Sequence, residues 1–174
     1  MDVIKALAAA GLLLLLGDFV ATFCYHVPEH VFGKFHNIVH HSPRRSFVRY
    51  ALRTRQPLAL LDGFCSALPY FAFVPLLWLL SPWGIALGLL LAEGHVIWRH
   101  RFPPQYCTPD WLKILCRWIG ITTPERHWIH HRYGYRAFGD IFSFYGKPAE
   151  MWLIWLRWVK RKGLASGTEA SPAP

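Results

Sequence analysis

Residues 26–41 read "HVPEHVFGKFHNIVHH", five histidines in sixteen positions, directly after an apolar stretch that begins at residue 3. On a helix, side chains three or four apart share a face and lie within about 6 Å of one another. His26 and His30, and then His36, His40 and His41, are therefore spaced to aim imidazoles at common points. Two further groups lie downstream, His95 with His100 and His127 with His130 and His131. Together the four groups use all ten histidines of the chain.

The surroundings of these groups point to a membrane. Hydrophobic residues make up 53% of the 174 positions and charged residues only 17%, fewer than a soluble domain usually carries. The first stretch, residues 3–25, is long enough for one crossing, which takes roughly 20 residues, and is expected to be a retained anchor, since no small-residue cleavage site follows it. Residues 63–92 contain no charged side chain, and "SPWG" at 81–84 breaks them with turn formers. A hairpin of helices over 64–80 and 83–100 follows. With three crossings every basic residue except Lys5 falls on the histidine side, which the positive-inside rule places in the cytoplasm.

The expected fold is thus an all-α membrane protein, with three to four transmembrane or membrane-embedded helices under a cytoplasmic histidine-rich cap. Residues 1–162 form one domain, and the small, polar residues 163–174 form a disordered tail. "DWLKILCRWIG" at 110–120 carries Trp111, Leu112, Leu115 and Trp118 near one face and reads as a short amphipathic helix lying in the interface. Residues 149–162 fit either a second interfacial helix or a partial re-entry. Most of the aromatic residues in the spans are expected to face lipid and its interface. The net charge of +9 accompanies no nucleic-acid reading motif, so anionic lipid is the expected partner and nucleic acid is not. Cys24, Cys65, Cys107 and Cys116 show no metal or disulfide spacing and are expected to be reduced and mostly buried.

Imidazole is a good ligand for iron, zinc, copper and nickel, and ten exceed the needs of one ion. The groups therefore suggest a dinuclear site. Asp18 precedes His26 by about two turns on the same face and, inside a span, is expected to orient an imidazole through its second nitrogen. Glu93 and Asp140 are further candidates for that role, whereas Glu29 and Glu125 more simply balance arginines or cap helices. His95 and His100 lie about 140° apart around a straight helix, so both can serve one site only if the helix kinks or ends between them.

"DFVATFCYHVPEH", "FHNIVHHSPRR" and "TPERHWIHH", with their HxxxH, HxxxHH and HxxHH boxes, resemble the fatty acid hydroxylase and sterol desaturase superfamily of membrane non-haem di-iron oxygenases. The resemblance runs from about residue 18 to residue 146. It implies two iron ions held by His26, His30, His36, His40, His41, His95, His100, His127, His130 and His131, with dioxygen as co-substrate and electrons from an external ferredoxin or cytochrome. The outcome would be hydroxylation or desaturation of a fatty acyl, sterol or related lipid. The H-x4-H box and the chain length are also similar to those of small carotene hydroxylases, which would make a carotenoid β-ring the substrate. Two readings from other classes remain: "HVPEH" matches the H-x-x-E-H of zinc peptidases, and a metal transporter would also gather imidazoles.

Overall fold

The computed structural model describes residues 2–41 and 46–168, without the side chains of residues 62–63 and 164–168. Ser42–Arg45 of the second box segment and residues 169–174 of the expected tail lie outside the described residues. Among the described residues the regular secondary structure is helical apart from an isolated bridge between Ile121 and Phe142.

Helix α1 (Val3–Val20) passes without a break through a π-helical stretch, Ala21–His26, into α2 (Val27–Phe32). The first helical run therefore reaches residue 32 rather than ending at residue 25. Pro28 does not stop it, because the wider turn before it changes the hydrogen-bond register. In the i−5 register the acceptor facing Pro28, which has no N–H, is the Phe23 carbonyl, and that oxygen instead takes Trp152 Nε1 at 2.9 Å. Residues 3–32 are one helix long and apolar enough to cross a membrane.

The expected single helix over 64–80 is three short pieces: α4 (Leu58–Cys65), α5 (Leu68–Phe71) and α6 (Val74–Trp78). Pro69 and Pro75 sit in the first turns of α5 and α6, where a missing N–H is tolerated but the preceding helix cannot continue. The break at 81 is where the turn residues placed it: Ser81 caps α7 (Pro82–Arg101) by accepting a bond from Gly84 N at 3.1 Å.

Glycines set how closely α7 approaches α1. A Cβ added at Gly84 would lie 2.4 Å from the Ala6 carbonyl oxygen, and one at Gly88 would lie 3.2 Å from Ala10 Cα. This is close packing through small residues, as membrane helices use. Because Gly84 meets Ala6 and Gly88 meets Ala10, α1 and α7 run parallel and deliver their C-terminal ends to the same side of the molecule.

A short α3 (Phe47–Thr54) follows the second box, and two helices lie beyond α7 on the histidine side before the chain closes with a third. Helix α8 (Asp110–Ile119) exposes Trp111, Ile114, Leu115 and Trp118, an apolar face that suits a membrane interface. Helix α9 (Pro124–Tyr133) carries the last box. Helix α10 (Gly146–Thr168) buries Ala149, Leu153 and Leu156 against Val27, Val31 and Phe138, while Met151 and Ile154 on its other side stay exposed. It runs past residue 162, so residues 163–168 of the expected tail are helical. Of the four free cysteines only Cys116 is buried, and Cys24 and Cys107 are exposed.

Candidate metal centre

Nine imidazoles meet where α2, the π-helical stretch His36–His40, the end of α7 and α9 converge. They form two adjoining nests. In the first, His26 Nε2 lies 2.9 Å and His30 Nε2 3.2 Å from His130 Nε2. His41 Nε2 lies 3.3 Å from His30 Nε2, and His36 groups both with His26 and with His30. In the second nest, His127 Nε2 lies 3.0 Å from His100 Nε2 and 2.8 Å from His131 Nε2, and His40 completes the group. The π-helical stretch stacks His36 on His40, with ring centroids 4.7 Å apart, and so carries one side chain to each nest. Gly134 ends α9 at φ 63°, a conformation glycine adopts without strain, beside His30.

The second ring nitrogens show what the nests can hold. His26 Nδ1 faces Asp140 Oδ1 at 3.3 Å, and His130 Nδ1 donates to the Arg136 carbonyl at 3.0 Å. His41 Nδ1 donates to the His131 carbonyl at 3.2 Å, and His100 Nδ1 to the Val96 carbonyl at 2.9 Å. A carboxylate or carbonyl only accepts, so each of these rings carries its hydrogen on Nδ1 and presents a lone pair at Nε2. Lone pairs of His26 and His130 thus oppose each other at 2.9 Å, a repulsive contact unless a cation lies between them. Two nitrogens about 2.1 Å from one ion are expected to be about 3.0–3.4 Å apart, close to the spacings seen here. His36 Nε2 and His40 Nε2 are buried without a hydrogen-bond partner among the described residues, as donor atoms reserved for a metal would be.

Burial favours the neutral form of four of these rings. Burial first, and then neighbouring imidazoles, holds His36, His40 and His130 well below the ordinary value of 6.5. His127 is held down by burial and by Arg99. Neutral imidazole is the form that ligates metal. Burial pushes the Asp140 carboxyl up, but Arg99 and His26 outweigh it and hold the group well below the usual carboxylate range.

The structure leaves His95 out. Helix α7 is unbroken to Arg101, so the 140° between His95 and His100 is not closed, and His95 Nε2 turns to the Thr122 carbonyl at 2.8 Å. It belongs to none of the histidine groups. Asp18 also acts differently from the expected role. It is fully buried, but its carboxylate accepts from Asp140 N and Ile141 N at 3.1 Å and from Phe142 N at 2.6 Å rather than meeting an imidazole. It therefore fixes the loop that carries Asp140, and Asp140 meets the ring. Glu93 makes no side-chain hydrogen bond or ion pair to a histidine among the described residues; it lies on the wall of a cavity described below. Glu125 holds the Thr108 backbone N–H and, at 2.7 Å, its hydroxyl.

Two contributors lie outside the sequence reading. Arg99, 6% exposed, grips Asp140 Oδ1 at 2.6 Å and the Asp140 carbonyl at 2.8 Å. Phe138 closes the floor of the first nest, with ring centroids 4.7–5.5 Å from His130, His30 and His26. An arginine near a membrane surface gives no sequence signal of this kind; only a buried partner distinguishes it. A cavity of about 730 Å³ reaches His26, His36, His40 and His100 from between α5 and α7, past Phe71, Leu89 and Ile97.

The zinc-peptidase reading of "HVPEH" does not account for His130, which meets both of its histidines. A family model described as fatty acid hydroxylase matches residues 11–147, most of the chain and all ten histidines. No curated protein and no solved structure gives a significant match.

Proposed function

Because the chain belongs to the fatty acid hydroxylase family, a metal-dependent and membrane-associated group of lipid hydroxylases and desaturases, we propose that it is a membrane di-iron oxygenase acting on a lipid. His26, His30, His36, His41 and His130 would hold one iron, and His40, His100, His127 and His131 the other. The observation that carries this reading is the pair of adjoining nests whose Nε2 lone pairs face inward. Iron bound there supplies the activation of dioxygen needed to attack an unactivated C–H bond.

The residues of the chain itself do the positioning. Asp140, held by Arg99 and by the loop that Asp18 fixes, keeps the His26 ring in one tautomer and orientation. Carbonyls of Arg136, His131 and Val96 do the same for His130, His41 and His100. The cavity admits an apolar chain from the bilayer to the cluster while its apolar wall excludes water. Electrons come from a separate ferredoxin- or cytochrome-type protein.

Residues 3–32, the return over 58–80 and α7 cross the bilayer, with the histidine face in the cytoplasm. An impermeant thiol reagent that reaches the exposed Cys107 from the cytoplasmic side of vesicles, and not from the other, tests that orientation. The H-x4-H box that suggested a carotenoid ring brings only His100 to the cluster and adds no support for that substrate. A transporter would need ligands at several depths, whereas the nine imidazoles form one cluster.

Mass spectrometry of lipids from cells making the wild-type chain or His131→Ala tests the activity. The wild type alone is expected to yield lipids that have gained one oxygen or lost two hydrogens. Identical lipid profiles in the two strains would remove the oxygenase reading.

A further inference from the structure

The cavity wall is mostly apolar, yet it carries a carboxylate. Glu93, Val96, Ile97 and His100 are spaced so that one stripe of α7 faces the cavity, and all four line it. Seven residues at about 1.5 Å each put Glu93 roughly 10 Å from His100 along the helix axis. Glu93 makes no hydrogen bond or ion pair among the described residues. The other acidic groups at this end differ: Asp18 caps the loop at 140–142, Asp140 pairs with Arg99, Glu125 holds Thr108, and Glu150 accepts from Ala137 N and pairs with Lys147. Tyr70 enters the same cavity from α5. Its ring is pressed on Gly17, where an added Cβ would lie 2.3 Å from a ring carbon, and its hydroxyl is also without a hydrogen bond among the described residues.

Glu93 is exposed where it lines the cavity, and a carboxylate set among apolar lining residues in the span proposed for α7 marks a binding function rather than a packing one. It accepts hydrogen bonds and repels anions. We infer that Glu93 is the specificity-determining residue of the cavity: it accepts a hydrogen bond from a hydroxyl group of the lipid and thereby sets which carbon of the chain reaches the histidines. The inference rests on the proposed lipid oxidation and narrows it to an alcohol-bearing lipid. A plain hydrocarbon would leave Glu93 desolvated and unpaired, and a free fatty acid would bring a second negative charge beside it. Tyr70 is placed to bind the oxygen of the same hydroxyl.

Equilibrium binding of radiolabelled 1-hexadecanol, hexadecane and palmitate to the purified full-length protein in lipid nanodiscs tests this without requiring turnover. The wild type is expected to take the alcohol about tenfold more tightly than the alkane, since a site built to bond a hydroxyl rejects the analogue lacking it. Glu93→Leu is expected to bind alcohol and alkane equally. Glu93→Gln keeps an acceptor oxygen but no charge, so it should keep part of the alcohol preference and gain affinity for palmitate. Thermal unfolding and metal content identify variants that fold as the wild type does, and Glu93→Gln carries the test if the leucine variant does not. An alcohol preference that is absent from the wild type or survives Glu93→Leu, or an unchanged palmitate affinity in Glu93→Gln, would overturn the inference. A protein that oxidises no lipid yet shows these preferences would sink the oxygenase reading and leave Glu93 in place. A protein that oxidises lipid and shows none of them would do the reverse.

Discussion

The two histidine nests use the same ligand type but are braced differently. In the first, His26, His30, His36 and His130 are buried and His41 is partly exposed, and His26 is tied through Asp140 to Arg99. In the second, His127 is buried while His40, His100 and His131 are partly exposed, and His100 is held by a carbonyl of its own helix. A buried ionic brace fixes geometry rigidly but fails badly when one member is lost. A bond to a helix carbonyl is made locally and depends on little else. Both nests draw on distant elements; the difference teaches that the first is braced by buried ionic contacts across the fold, whereas the second orients His100 through a carbonyl of its own helix.

The largest expected effect follows from the brace. Asp140→Ala leaves Arg99 buried without its counter-charge, which should destabilise the protein by about 3–5 kcal/mol in chemical denaturation. In the molecules that still fold, metal should leave the first nest before the second, whose nearest brace is elsewhere. Equal loss from both nests would show that they act as one unit.

Acidification should produce a smaller and graded effect. His36, His40, His127 and His130 have folded-state pKa values depressed below 6.5, so at low pH the unfolded chain binds more protons than the folded one. Their stabilising contribution is present above 6.5 and declines as pH falls below it, by up to about 1.4 kcal/mol per pH unit for each ring. Thermal unfolding of chelator-treated protein between about pH 7.5 and about pH 5.5, roughly one unit either side of 6.5, should show a falling midpoint. A midpoint that holds steady would mean the rings are not kept neutral by burial.

His95→Gln marks the small end of the scale. Glutamine can still bond the Thr122 carbonyl, so stability should change by less than about 1 kcal/mol and metal content not at all. Loss of an ion in that variant would return His95 to the ligand set and reshape the second nest.

These contrasts also mark what the sequence could disclose. The boxes at 26–30, 36–41 and 127–131 were legible because ligands three to five apart on one helical element are local, and helical periodicity alone brings them together. The π-helical turn that leads into the first box is not legible, since the Phe23 carbonyl it frees is taken by Trp152, 129 residues away. His95 misled because its spacing matches a known box, while only the straightness of α7 decides where it points. Asp18 is conspicuous as a carboxylate in an apolar run, but its partners at 140–142 lie on a loop more than 120 residues distant, so nothing local shows that it acts on the loop rather than on an imidazole. The break at Ser81 could be read from local turn chemistry. The division of residues 58–80 into three helices is hidden by an uninterrupted apolar run, and only Pro69 and Pro75 mark where the helices restart.

The central claim is that two metal ions are held jointly by nine imidazoles from distant parts of the chain. Elemental analysis of tag-free protein purified in detergent tests it most directly, comparing the wild type with His130→Ala and His131→Ala. The account predicts about two ions per wild-type chain, with a sharp fall in both variants, the first nest suffering in one and the second in the other. A single ion per chain that survives both substitutions would contradict it.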